Sequence, residues 1–119
     1  MILLTLKKNY EFQKTLKRGN WYNGNLISIH VEKNNKDLNY IGIAVSKRVS
    51  KSSVKRNRIK RLLREAYRLE ESKIQKGFNM IIAWKSSCPF ELANFCDIKN
   101  DLGICLKKAD LILKDKEEE

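Results

Sequence analysis

The sequence predicts an α+β fold, a small α-β sandwich built around a central, mostly antiparallel sheet, and three observations predict it. The chain has 119 residues, of which 42% are apolar, with only five glycines and one proline. That is enough apolar surface for one hydrophobic core. Short runs rich in Ile and Val alternate with segments whose apolar residues recur at helical spacing, giving the order α-β-β-α-β-α. A single domain over residues 1–119 is expected, ending in a frayed, solvated acidic tail at 114–119.

The first helix is predicted to start with Asn9 as N-cap and to stop at Gly19, with Phe12 and Leu16 four residues apart and Lys17-Arg18 suiting a helix C-terminus. Two strands follow, Leu26 to Val31 and Tyr40 to Ser46. The polar connection Glu32-Lys33-Asn34-Asn35-Lys36-Asp37 between them has the chemistry of a hairpin. In the first of these strands Ile27, Ile29 and Val31 share one face, and Ser28 and His30 the other.

From about Ser53 to Glu71 the period becomes helical, with Ile59, Leu62, Leu63 and Ala66 forming one apolar stripe that packs on the sheet. The run Met80-Ile81-Ile82-Ala83-Trp84 does not alternate, so it reads as a strand buried on both faces. Pro89 opens a last helical region. In it Ile98, Leu102, Cys105, Leu106, Ala109 and Leu113 fall at helical spacing around a weak point, Gly103.

Composition excludes several classes. Cys88, Cys96 and Cys105 are odd in number and form no CxxC pair, so they read as reduced thiols of a cytoplasmic protein. The apolar start Met1-Ile2-Leu3-Leu4-Thr5-Leu6 precedes Lys7-Lys8, the reverse of a signal peptide's charge order, and is too short to span a membrane. With one histidine, no glycine-rich phosphate loop and no Ser/His/Asp set, no catalytic group is expected in the protein. Trp84-Lys85-Ser86-Ser87 is polar without an identifiable partner.

Charge is the sharpest signal. The chain carries 25 Lys and Arg against 14 Asp and Glu, a formal +11. Ten of the cations lie between positions 47 and 68: Lys47, Arg48, Lys51, Lys55, Arg56, Arg58, Lys60, Arg61, Arg64 and Arg68, with Glu65 the one acid. On a helix Asn57, Arg61, Arg64 and Arg68 stack opposite Ile59 and Leu63, a stripe about 16 Å long. Every surface helix has a charged face, but solvated faces mix signs, and like charges at i,i+4 repel by a few tenths of a kcal/mol per pair. A helix that accepts this repulsion along its length is expected to meet a polyanion. Arg suits phosphate, which its planar fork grips bidentately.

A basic helix docked on a sheet in a small mixed domain suits structured RNA. Aromatic side chains on or near the first helix and first strand, Phe12, Trp21, Tyr22 and His30, offer stacking partners for bases. Two other readings stay open: a structural, ribosome-associated RNA-binding protein, and a dimeric DNA-binding regulator.

The block Lys55-Arg56-Asn57-Arg58-Ile59-Lys60-Arg61-Leu62-Leu63-Arg64-Glu65, preceded by Gly42-Ile43-Ala44-Val45-Ser46-Lys47-Arg48, closely resembles the signature of the protein subunit of bacterial ribonuclease P. Asn9 to Gly19 is similar to that family's first helix and Asn79 to Ala83 to the strand after the basic helix, so the resemblance spans almost the whole chain. It implies a three-layer sandwich with a left-handed βαβ crossover. It also implies an RNA partner that carries the catalytic groups, one protein per RNA, and Mg2+-dependent removal of the 5′ leader from precursor tRNA. Carried over by position, the RNA-binding residues are Lys47, Arg48, Lys55, Arg56, Asn57, Arg58, Lys60, Arg61, Arg64 and Arg68, and the leader cleft takes in Phe12, Ser28 and His30. Two departures bear on that cleft: Leu16 and His30 stand where the family often has aromatic residues. A third is the connector Ser50-Lys51-Ser52-Ser53, which lacks a glycine common in relatives.

Overall fold

A strand with no polar face belongs in the middle of a sheet, and the run ending at Trp84 takes that place. The computed structural model describes residues 9–113; the expected acidic tail and the apolar N-terminal run lie outside the described residues. The elements are α1 (Asn9–Arg18), β1 (Asn20–Asn23), β2 (Ile27–Lys33), β3 (Tyr40–Ala44), α2 (Ser53–Glu70), β4 (Phe78–Trp84) and α3 (Phe95–Lys108), with short 3-10 turns at Glu71–Lys73 and Phe90–Leu92. The sheet order is β1-β2-β4-β3. Pairing is antiparallel for β1 with β2 and β2 with β4, and parallel for β3 with β4.

This order corrects two expectations. The predicted hairpin between the second and third strands does not form, because β4 lies between them. Its Met80, Ile81 and Ile82 are all at most 1% exposed, and only a central strand buries both faces. The connection from β2 to β3 must therefore step across one strand, about 10 Å at two interstrand spacings. It does so over the entrance to β4: Asn34 donates its backbone N–H to Gly77 O (2.9 Å), and its side-chain amide donates to Leu38 O and Asn79 Oδ1. Gly77 takes a φ of +98° there, with the Lys36 carbonyl 2.8 Å from where a Cβ would stand, a site only glycine fills without strain.

The second correction is the extra strand β1. Asn20-Trp21-Tyr22-Asn23 is too short and too polar at its ends to read as a strand, yet it forms the actual hairpin with β2. The turn of that hairpin is held from outside. Asp101 of α3, only 3% exposed, accepts backbone N–H groups from Asn25 (2.7 Å), Leu26 (2.9 Å) and Ile27 (2.9 Å). Gly24 leaves room for that carboxylate, which a side chain there would strike, and the Lys85 ammonium donates to the Gly24 carbonyl.

Ile27, Ile29 and Val31 face the main core with Met80, Ile82 and Trp84, as the alternation in the first of these strands predicts. α2 and α3 close that side through Ile59, Leu63, Ala66, Tyr67, Ile98, Leu102, Cys105 and Leu106. Burial, and next the Asp101 carboxylate, pushes the Cys105 thiol up to about 11, so it serves as a small apolar core residue. α1 lies on the opposite face of the sheet, giving three layers, and β3-α2-β4 is the crossover unit between adjacent parallel strands.

The last helix is shorter than its spacing predicts. Asn94 caps it by accepting the Asp97 N–H (2.9 Å), and it ends before Asp110, whose φ of 57° turns the chain. Leu113 therefore lies off the helix, where its N–H meets Lys73 O (2.7 Å) beside the Ile74–Ile112 bridge.

Two substitutions test this frame by urea denaturation. Asp101→Ala strands three buried or half-buried N–H groups and is expected to cost about 2–4 kcal/mol. Gly103→Ala, where a Cβ would meet nothing within 4 Å, is expected to stabilise by about 0.5–1 kcal/mol.

Candidate nucleic-acid interface

The apolar stripe of α2 fixes which way its cations point. Ile59, Leu63, Ala66 and Tyr67 are at most 1% exposed, while Asn57, Arg58, Arg61, Arg64 and Arg68 all stand in solvent. Lys55 is exposed as well, and Arg56 and Lys60 are half-buried at the flanks. Among the described residues, Arg68 is the one member of the set that meets an acid, Glu65 at 3.5 Å, and both side chains are about half exposed, so the pair screens little. The first turn of α2 holds no acidic residue. Its free N–H groups and the cations of Lys55 and Arg56 thus add fields of the same sign.

The loop before α2 does without glycine by using its serines. Ser46 Oγ accepts from Arg48 N (3.1 Å), Ser50 Oγ from Ser52 N (3.1 Å) and Ser52 Oγ from Lys55 N (3.3 Å). Each closes a local turn or cap that needs no left-handed residue, and none between 46 and 53 has a positive φ. Arg56 Nη1 donates to Ser50 O (2.8 Å), fastening the loop to the helix. Arg56 is thereby partly engaged in structure, whereas Lys47 and Arg48 remain exposed.

On the other side of the sheet the strand registers build a groove. Trp21, His30, Ile81 and Gly42 form one row across the four strands, and Asn23, Ser28, Ala83 and Ala44 the next. α1 covers the first row at its β3 end: Phe12 lies on Gly42, whose absent Cβ would stand 2.8 Å from the ring, and Ile81 is fully buried. The second row is left open. Its small side chains floor a groove of about 510 Å³, bounded by Trp21 at the β1 edge and by Ser46 and Arg48 at the β3 edge, with Lys85 and Ser86 at one end.

The predicted cleft residues therefore share one face, in different roles. Ser28 is in the floor and is 6% exposed. His30 is half-buried beside it, stacked under Trp21 with ring centroids 5.6 Å apart and planes 9° from parallel. Phe12 lies outside the groove lining, packed on Gly42 in the adjoining row. Tyr22 stands in register with Ile29 and packs against the main core, so it is not a surface stacking residue.

Lys85, Ala44 and Ala83 are groove residues that sequence reading missed. The available signal was the recurrence of small residues at every second position, Gly42 with Ala44, a pattern that leaves a sheet face low. The arrangement offers two surfaces for a polyanion joined by the Lys47-Arg48 turn: a helix with a basic face and a groove floored by small side chains with an aromatic wall. Among the described residues no three His, Cys, Asp or Glu side chains converge to hold a metal ion, and no helix is long and apolar enough to cross a membrane.

Comparison with known proteins agrees with this geometry. Residues 3–110 match the family model described as Ribonuclease P. The chain is 40% identical over 114 residues to the ribonuclease P protein component of Clostridium kluyveri, covering 93% of this chain and 98% of that protein. To the one from Clostridium acetobutylicum it is 37% identical over 113 residues, covering 93% and 92%. Among solved structures, the Staphylococcus aureus RNase P protein superposes with a TM-score of 0.80 at 28% identity, covering 93% of this chain and 99% of that one. The Thermotoga maritima protein gives 0.77 at 26%, covering 87% and 96%.

The double substitution Arg61→Ala with Arg64→Ala is expected to leave circular dichroism unchanged, since both side chains point away from the core. Affinity for structured RNA should fall, and the slope of log K against log salt should flatten by roughly one to two. An unchanged slope in a natively folded variant would remove the basic face from the interface.

Proposed function

The chain belongs to the ribonuclease P protein family and is the protein component of that ribonucleoprotein endoribonuclease, and from that premise we propose how its two surfaces divide the work. The α2 face and its preceding loop bind the catalytic RNA subunit, releasing counterions from the phosphates they neutralise. The groove on the α1 side takes the single-stranded 5′ leader of precursor tRNA. The observation that carries this division is that α2 and the groove lie on opposite faces of one sheet, bridged by the Lys47-Arg48 turn, with Arg48 also lining the groove.

The reaction is removal of the leader by metal-dependent hydrolysis. In this reading the RNA subunit supplies the catalytic groups, and Mg2+ serves the assembled RNA–protein complex. The protein's contribution is binding energy. Cations beside the scissile region lower the repulsion between substrate and catalytic RNA, which reduces the salt and Mg2+ that the RNA needs to hold its substrate. The single domain, one copy per RNA and a cytoplasmic location complete the reading.

Cleavage of a precursor tRNA by the matching catalytic RNA at low Mg2+, with and without the protein, tests it. Restored cleavage is the expected outcome. RNA binding that leaves cleavage unchanged would reduce the chain to a structural RNA-binding protein.

A further inference from the structure

Trp21 is 62% exposed on the edge strand β1, and the leader-binding reading does not by itself explain it. Single exposed apolar residues are ordinary, but this one is held in place. His30 lies directly across the β1–β2 ladder from Trp21 and stacks on it nearly parallel. His30 Nδ1 is buried with no hydrogen-bond partner among the described residues. Burial also lowers its pKa, favouring the neutral ring.

We propose that Trp21, backed by His30, is a leader-binding residue that stacks one unpaired nucleobase at the β1 edge of the groove. The inference deepens the leader-binding reading and rests on it. Three features favour a base over any other occupant: the floor beside the indole is made of small side chains, Ser28, Ala44 and Ala83; Arg48 lines the same groove, where it can meet a backbone phosphate; and one face of the indole is taken by the nearly parallel imidazole while the side chain stays largely exposed. A π face, an open slot and nearby cations are what a single strand needs for binding without reading base edges. Because β1 is the edge strand, no further strand closes the slot on that side.

The test measures affinity of the assembled RNA–protein complex for precursor tRNAs that carry one abasic nucleotide at successive leader positions. With the wild-type protein, one position is expected to stand out, its base removal weakening binding about five- to a hundredfold. Trp21→Ala should weaken the intact precursor by a similar factor and make that position indifferent to base removal. Trp21→Phe, which keeps a ring, should retain most of the effect. Binding should also quench the exposed Trp21 fluorescence, read as the difference from Trp21→Phe, whose one remaining indole is Trp84.

Trp21→Ala with wild-type affinity, or an abasic penalty that persists undiminished in that variant, overturns the proposal while leaving leader binding intact. A wild-type complex that binds leader-bearing precursor no better than mature tRNA overturns the leader reading itself, and this inference with it.

Discussion

The burial of Ile59, Leu63, Ala66 and Tyr67 against the sheet and α3 sets the rotation of α2 about its axis. At roughly 1.5–3 kcal/mol for each large apolar side chain removed from water, this contact outweighs the few tenths of a kcal/mol lost in each like-charge pair along the outer face. The helix can therefore carry a run of uncompensated cations and stay folded. With the buried stripe fixed, Asn57, Arg61, Arg64 and Arg68 have one direction left to face. The same contact makes α2 the crossover between β3 and β4, and so brings β4 to the centre of the sheet.

The opposite face is arranged by subtraction. Gly42 lets Phe12 approach the sheet, which seats α1 over one end of the outer face. Ser28, Ala44 and Ala83 keep the adjoining row too low to pack against anything, so it stays a groove. Asp101 acts at a distance from both. By accepting three N–H groups of the β1–β2 turn it fixes the edge hairpin to α3, and that hairpin carries Trp21 and the stacked His30. A buried carboxylate is stable there because it is met by backbone donors. Thus one residue in the core layer holds the geometry of a wall on the far side of the sheet.

Much of this was legible from periodicity. The stripe of α2, the alternation in Ile27 to Val31 and the unbroken run Met80 to Trp84 each depend on side chains only a few residues apart, and each stands where the pattern put it except at Leu62, which is half-buried while Tyr67 joins the core, and at Ala83, which the groove leaves half-exposed. What periodicity misread depends on distant partners. β1 is a strand only because β2 offers a ladder for its four residues. Leu113 continues the helical spacing of α3 but leaves the helix, because Lys73 and Ile74 supply backbone partners there. The serine loop before α2 kept the shape the chain needs by side-chain acceptance instead of glycine.

The sequence by itself determined the types of the elements other than β1, the concentration of positive charge between Lys47 and Arg68, and the face of α2 from which it projects, since helix geometry and local apolar spacing suffice for these. Only the tertiary structure decided that β4 separates β2 from β3, that Phe12 packs on Gly42 while Trp21 walls the groove, and that Tyr22 turns inward. Strand order and groove walls arise from hydrogen-bonded partners tens of residues apart. No local period encodes which of several compatible strands will supply the ladder.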